Sequence, residues 1–161
     1  MRFRYPGGVT LDQSFVGREY PPTSPYEVGR EKIREFAEAI KDDSPLYRDR
    51  EAAKAAGYPD VIAPPTFAVL VSMRAHDVIV DDPELGLDYD RLVHGSQEFT
   101  HYRPVGVGDR LVAVVHVDDI RSRGGNDFLT VRAELGTPEG EPVCTAHSMF
   151  VVRGEPEEDD Q

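Results

Sequence analysis

From Leu92 to Arg153 the chain is written with a period of two. Leu111, Ala113, Val115 and Val117 fall on one face of one stretch. Leu129, Val131, Ala133 and Leu135 fall on one face of another, against Phe128, Thr130, Arg132 and Glu134. Such alternation belongs to strands with one face in a core. Turn residues separate the stretches: Gly124-Gly125 between Ser122 and Asn126, then Pro138-Glu139-Gly140-Glu141. The pattern predicts strand pieces Leu92–His94 and Gln97–Tyr102, then Leu111–Ile120, Phe128–Leu135 and Val143–Arg153, joined as an antiparallel meander.

The first half follows another period. Ile33, Phe36, Ala37 and Ile40 stand at i, i+3, i+4 and i+7, which predicts an amphipathic helix from Arg30 to Ile40. Pro45 drives the residue before it out of helical geometry, so Asp42 to Tyr47 is predicted as a loop. A short helix is expected from Arg50 to Ala56, stopped by Gly57. Thr66 to Ala75 is apolar nearly all round, the mark of a buried helix. Pro64-Pro65 suits its start, where a proline N–H is not needed. Asp81 to Asp90 reads as a loop. Residues 1–25, rich in Gly and Pro, predict an extended arm, and 155–161 an acidic disordered tail.

Helices first and antiparallel strands after make the class α+β. One apolar helix must be covered by the apolar face of the sheet. That is the logic of a single hot-dog fold, a curved antiparallel sheet wrapped around a central helix, expected here as one domain over residues 1–154. A small sheet leaves an open edge, so a dimer is expected. The chain carries 18 Lys and Arg against 30 Asp and Glu, a net charge of -12. That field repels nucleic acid and anionic lipid. No apolar run approaches the roughly 20 residues of a membrane span. The single cysteine, Cys144, allows no internal disulfide, and Met1 to Pro6 shows no apolar leader. Both features predict a cytoplasmic protein.

Three stretches carry a family resemblance. They are Tyr26-Glu-Val-Gly-Arg-Glu-Lys-Ile-Arg-Glu-Phe36; Asp42-Asp-Ser-Pro-Leu-Tyr47 with Ala63-Pro-Pro-Thr-Phe67; and Gln97-Glu-Phe99 with Arg103-Pro104 and Gly108-Asp109. From about Phe15 to Val152 the chain resembles the MaoC-like hydratase/dehydratase family, in its FAS1-dehydratase-like branch. Within that branch it is most similar to the A-type subunits of actinobacterial (3R)-hydroxyacyl-ACP dehydratases. The resemblance implies substrates that are β-hydroxyacyl or trans-2-enoyl thioesters of acyl carrier protein or CoA, and no cofactor.

Active members carry a loop of the form Asp-x-Asn-Pro-x-His. Its Asp and His hold one water between them, and the pair moves a proton to or from the α-carbon. A histidine suits this because its pKa lies near working pH. The thioester oxygen gathers charge and meets backbone N–H groups at the start of the central helix. On this pattern Asp42 falls on the Asp, Ser44 on the Asn, Pro45 on the Pro and Tyr47 on the His. A tyrosine, with an unperturbed pKa near ~10, is a poor base at neutral pH. The family's His-Gly at the helix start falls on Pro64-Pro65, and Pro65 has no N–H to give. The A-type subunits depart from the active pattern in the same way. The resemblance therefore implies the catalytically degenerate, acyl-chain-binding half of a heterodimeric dehydratase. Val61, Ile62, Pro65, Thr66, Phe67, Leu70, Val71 and Met73, with Ser44 and Pro45, are the expected substrate-binding residues. An active homodimeric hydratase using Asp42 and Tyr47, a hot-dog thioesterase and a purely acyl-binding protein are the alternatives.

Plainer readings stand beside these. Asp42 and Asp43 are common turn residues, Tyr47 can simply pack, and the Thr66 helix is core before it is pocket. The five histidines, His76, His94, His101, His116 and His147, show no metal-ligand spacing. In an unbroken strand His94 and His101, seven residues apart, face opposite ways. An acidic carrier protein would need basic groups such as Arg48, Arg50, Lys54, Arg121 or Arg123.

Overall fold

The structure, a computed structural model, describes residues 11–154. The expectations for residues 1–10 and 155–161 lie outside that range. The elements in chain order are β1 (Tyr26–Glu27), α1 (Arg30–Ala39), α2 (Arg50–Ala55), α3 (Ala68–Ala75), α4 (Asp77–Val80), β2 (Leu92–His101), β3 (Arg110–Arg123), β4 (Asn126–Gly136) and β5 (Pro142–Val152).

The two long alternating stretches behave as their pattern requires. Leu111, Ala113, Val115 and Val117 of β3 and Leu129, Val131, Ala133 and Leu135 of β4 are all buried. They form the floor on which α3 lies, and α3 packs across β3, β4 and β5. Its Ala68, Val71, Ser72 and Ala75 are buried. Phe67, just before α3, meets the edges of Phe36 at 5.4 Å and Tyr26 at 6.5 Å. The helix begins later than expected, because Pro64-Pro65 opens a 3-10 turn over Pro65–Phe67. It also runs on beyond Ala75, through His76 into α4, whose Ile79 is buried.

The sheet order is β1-β3-β4-β5-β2, and every pairing is antiparallel. The meander holds for β3, β4 and β5 and fails for β2, which pairs with β5. The place beside β3 is taken. The N–H groups of Gly17, Tyr20 and Thr23 donate to the carbonyls of Val117, Val115 and Ala113, and Val117 donates back to Arg18. The segment from Gly17 to Glu27 thus covers that margin, and among the described residues β2 is the open edge.

The two expected pieces form one strand, Leu92–His101, with a bulge between them and Tyr102 just outside it. His94 pairs with Phe150 and Ser96 with Met149, leaving Gly95 unmatched. A Cβ on Gly95 would meet the Met149 Cε at 2.8 Å. Directly opposed residues share a face. Cys144, Ala146, Ser148 and Phe150 are the buried alternates of β5. Opposite them stand His101, Phe99, Gln97 and His94. The expected opposition of His94 and His101 is therefore corrected: the bulge adds one residue, restores parity and puts both on the helix-facing side of the edge strand, where they stay exposed.

Candidate functional site

The loop that follows α1 is shaped by backbone bonds. Lys41 N–H donates to the Glu38 carbonyl at 3.1 Å and Asp42 N–H to the Ala37 carbonyl at 2.9 Å, a Schellman closure. Lys41 holds the left-handed position, φ 58°, that glycine usually fills. Asp42 Oδ1 then accepts the Ser44 N–H at 3.1 Å, and the Ser44 hydroxyl accepts the Leu46 N–H at 3.4 Å. Pro45 begins a 3-10 turn that carries Tyr47 inward, where it is 9% exposed. Burial first, and the Asp42 carboxylate and Tyr58 next, push the Tyr47 phenol above its usual range. The turn thus brings within electrostatic reach of Asp42 a phenol that stays protonated at neutral pH.

The segment leading to α3 is stapled to this loop and to the chain before β3. Ile62 N–H donates to Leu46 at 3.1 Å, Ala63 N–H to Val105 at 2.7 Å and Val107 N–H to Val61 at 3.2 Å. Beyond it a groove of about 450 Å³ opens between the start of the central helix and the open-edge strand. Pro65, Thr66 and Val69 form one wall; Gln97, Glu98, Phe99 and His101 form the other. His101 Nε2 donates to the Pro65 carbonyl at 2.7 Å, and the buried Cys144 thiol lies 4.0 Å from the same nitrogen. Pro65 offers no N–H, so Thr66 supplies the first helix-start donor, which has no acceptor within its own turn.

Of the expected substrate-binding residues, Pro65 and Thr66 line the groove. Val61, Phe67 and Val71 are buried in the core, Ile62 and Leu70 pack half-buried against it, and Met73 is exposed. Ser44 and Pro45 belong to the turn that places Tyr47. The groove's other residues had only weak sequence signals. Gln97-Glu98-Phe99 stood out as a motif without a role, and His101 was misplaced by the unforeseen bulge. Of the basic residues expected to meet an acidic carrier, Arg48, Arg50 and Lys54 near the loop pair with Asp43, Asp60 and Glu51, and Arg121 on β3 pairs with Asp119, while Arg123 at the end of β3 is exposed. Among the described residues no cluster of three or more His, Cys, Asp or Glu is placed to hold a metal, and no helix is long and apolar enough to cross a membrane.

Comparison with known proteins fits this architecture. Residues 14–146 match the family described as FAS1-like, dehydratase domain region. A UPF0336 protein of Saccharopolyspora erythraea is 76% identical over 150 residues, covering 93% of this chain and 96% of that protein. A solved MaoC-like dehydratase superposes with a TM-score of 0.81 at 34% identity, over 89% of this chain and 43% of that one. This chain thus spans less than half of that longer dehydratase. The C-terminally truncated HadBC (3R-hydroxyacyl-ACP dehydratase) complex from Mycobacterium tuberculosis superposes with a TM-score of 0.78 at 30% identity, covering 89% of this chain and 99% of that chain. With its curled sheet around α3, the chain is a hot-dog protein and belongs to the FAS1-like dehydratase family.

Proposed function

We propose that this chain is a subunit of a (3R)-hydroxyacyl-thioester dehydratase, equally an enoyl hydratase, of fatty acid metabolism. In this reading it is the acyl-binding, catalytically degenerate half of a heterodimer of two hot-dog subunits. The observation that carries it is the buried Tyr47 beside Asp42, where active relatives place a histidine. Hydration needs a base to take a proton from water as its oxygen adds to the β-carbon, and an acid to give a proton to the α-carbon. A phenol held above its normal pKa serves neither the base nor the return step well. Asp42 spends one oxygen on the Ser44 turn bond.

The open edge supports a partner. The arm shields β3, while among the described residues no strand pairs with the outer margin of β2. A second hot-dog subunit adding there would also cover the groove beside His101. HadBC is itself a two-subunit complex, which supports the same arrangement. Arg48, Arg50, Lys54 and Arg121 are engaged by carboxylates of this chain while Arg123 stays exposed, which favours a carrier-protein dock mainly on the partner.

The test is an assay of crotonyl-CoA hydration by the purified chain, alone and after co-expression with a subunit that carries Asp-x-Asn-Pro-x-His. Turnover only in the mixed complex is expected. Robust hydration by the chain alone overturns the reading, and release of free CoA, read with a thiol reagent, marks a thioesterase instead.

A further inference from the structure

In a chain with a net charge of -12, a cation rarely lacks a carboxylate. Arg30, Arg34, Arg48, Arg50, Arg103 and Arg132 each hold an acidic side chain. Arg123 and Arg153 are exposed, and among the described residues neither has a carboxylate partner.

The sheet brings these two to one corner. Arg123 opposes Asn126 across the hairpin of β3 and β4. Asp127 opposes Val152, which sets Asn126 beside Arg153 one step further on. Asp127 and Val152 are buried, so by alternation Arg123, Asn126 and Arg153 face outward, away from α3. Two strand spacings, about 10 Å, separate the two arginine backbones. Arg91 adjoins them, because its carbonyl accepts the Arg153 N–H at 3.0 Å. Arg121 lies on the same face but holds Asp119.

The chain leaves this corner at Gly154, and its exit is fixed. Gly154 N–H donates to Asn126 Oδ1 at 3.2 Å, and a Cβ on Gly154 would strike the Gly125 carbonyl. The sequence then continues Glu155-Pro156-Glu157-Glu158-Asp159-Asp160-Gln161, with a carboxylate at every position but two. Such a segment reaches at most ~24 Å, about twice the distance between the arginines.

We propose that residues 155–161 fold back on the outer face of their own sheet and bind the corner formed by Arg123 and Arg153. A single exposed ion pair contributes little. A tethered row of carboxylates acts differently. The tether holds the tail at high local concentration, and any carboxylate can replace another on either guanidinium. Each guanidinium can take a carboxylate through two parallel N–H donors. A second copy is a poorer occupant, since its tail has a corner of its own and its net charge repels this chain. So occupied, the corner is closed to an acidic carrier protein, in keeping with a dock on the partner.

The test is NMR of the full chain, reading the side-chain N–H signals of Arg123 and Arg153 and the backbone amides of Glu155 to Asp160. In one variant the tail keeps its length and loses its charge (Glu155→Gln, Glu157→Gln, Glu158→Gln, Asp159→Asn, Asp160→Asn). In the other, Arg123→Gln and Arg153→Gln are combined; both side chains are exposed, so the fold is kept. Removing the tail charges is expected to shift the Arg123 and Arg153 signals, and removing the arginines to shift the tail amides. Both shifts are expected to be lost in ~1 M salt, where the Debye length is about 3 Å. An Arg123 signal that ignores the tail charges, or tail amides that ignore both arginines, overturns the inference. Shifts that vanish on dilution overturn it too, because the corner then holds the tail of a second copy.

Discussion

His101 on the open-edge strand donates from Nε2 to the carbonyl oxygen of Pro65, 2.7 Å away, at the head of the central helix. A carbonyl can only accept, so Nε2 carries a proton and is the donor. This bond ties the two walls of the groove together. His101→Ala is expected to cost about 1 kcal/mol in urea unfolding and to weaken acyl-CoA binding about fivefold. A variant equal to wild type in both measurements would show that the walls are held by packing alone.

Asp42 separates the heterodimer reading from an active homodimer. As a turn residue it contributes the Ser44 bond, so Asp42→Asn should lower stability by no more than about 1 kcal/mol. Turnover of the mixed complex should then change less than about threefold. As a catalytic base, its loss would cost about 100-fold or more. Steady-state rates of the two complexes decide between them.

Lys41 occupies a left-handed backbone position, φ 58°, immediately before Asp42. A side chain there costs about 1 kcal/mol that glycine avoids. Lys41→Gly should raise the urea midpoint without changing the slope of unfolding. An unchanged or lower midpoint would mean that the greater freedom of glycine in the unfolded chain outweighs the relief.

His76 makes stability fall with acidity. Burial, with His94 nearby, lowers its pKa to about 4 in the folded chain from near 6.5 when free, so between those values the unfolded state binds more protons. Stability is full above pH ~6.5 and is lost as pH drops toward ~4, by about 3 kcal/mol at most. His76→Phe should flatten that window in pH-dependent thermal unfolding. An unchanged slope would place the acid sensitivity elsewhere.

Cys144 is buried, and burial pushes its thiol up to about 11. The thiolate is the reactive form, so iodoacetamide at pH ~8 should label the folded chain far more slowly than the urea-unfolded chain. Equal rates, followed by mass spectrometry, would show that β5 opens readily near the groove.

The strands β3 and β4 were legible because Leu111 to Val117 and Leu129 to Leu135 carry their own face in their own order. The helix over Arg30–Ala39 was legible for the same reason. Two features were not. A bulge is a mismatch between two strands, and nothing within Leu92–His101 says that Met149 and Phe150 will leave Gly95 unpaired. The place of β2 beside β5 depends on the arm having taken the margin of β3, a contact between segments about 90 residues apart, such as the Ala113 N–H bond to the Thr23 hydroxyl. The groove inherits both difficulties. Pro65 and Thr66 were anticipated, whereas Gln97, Phe99 and His101 join them only once the strand is set in place and its faces are known.

The arm along β3 has a consequence for how large an assembly can grow. In polymer terms, a sheet with two sticky margins is a bifunctional monomer and adds units without end. Capping one margin from within makes this chain monofunctional, so each strand addition at β2 is also a termination step. Two sheets joined there leave, among the described residues, only β3 margins that the arm already covers, so edge pairing through β2 or β3 does not propagate into a fibre.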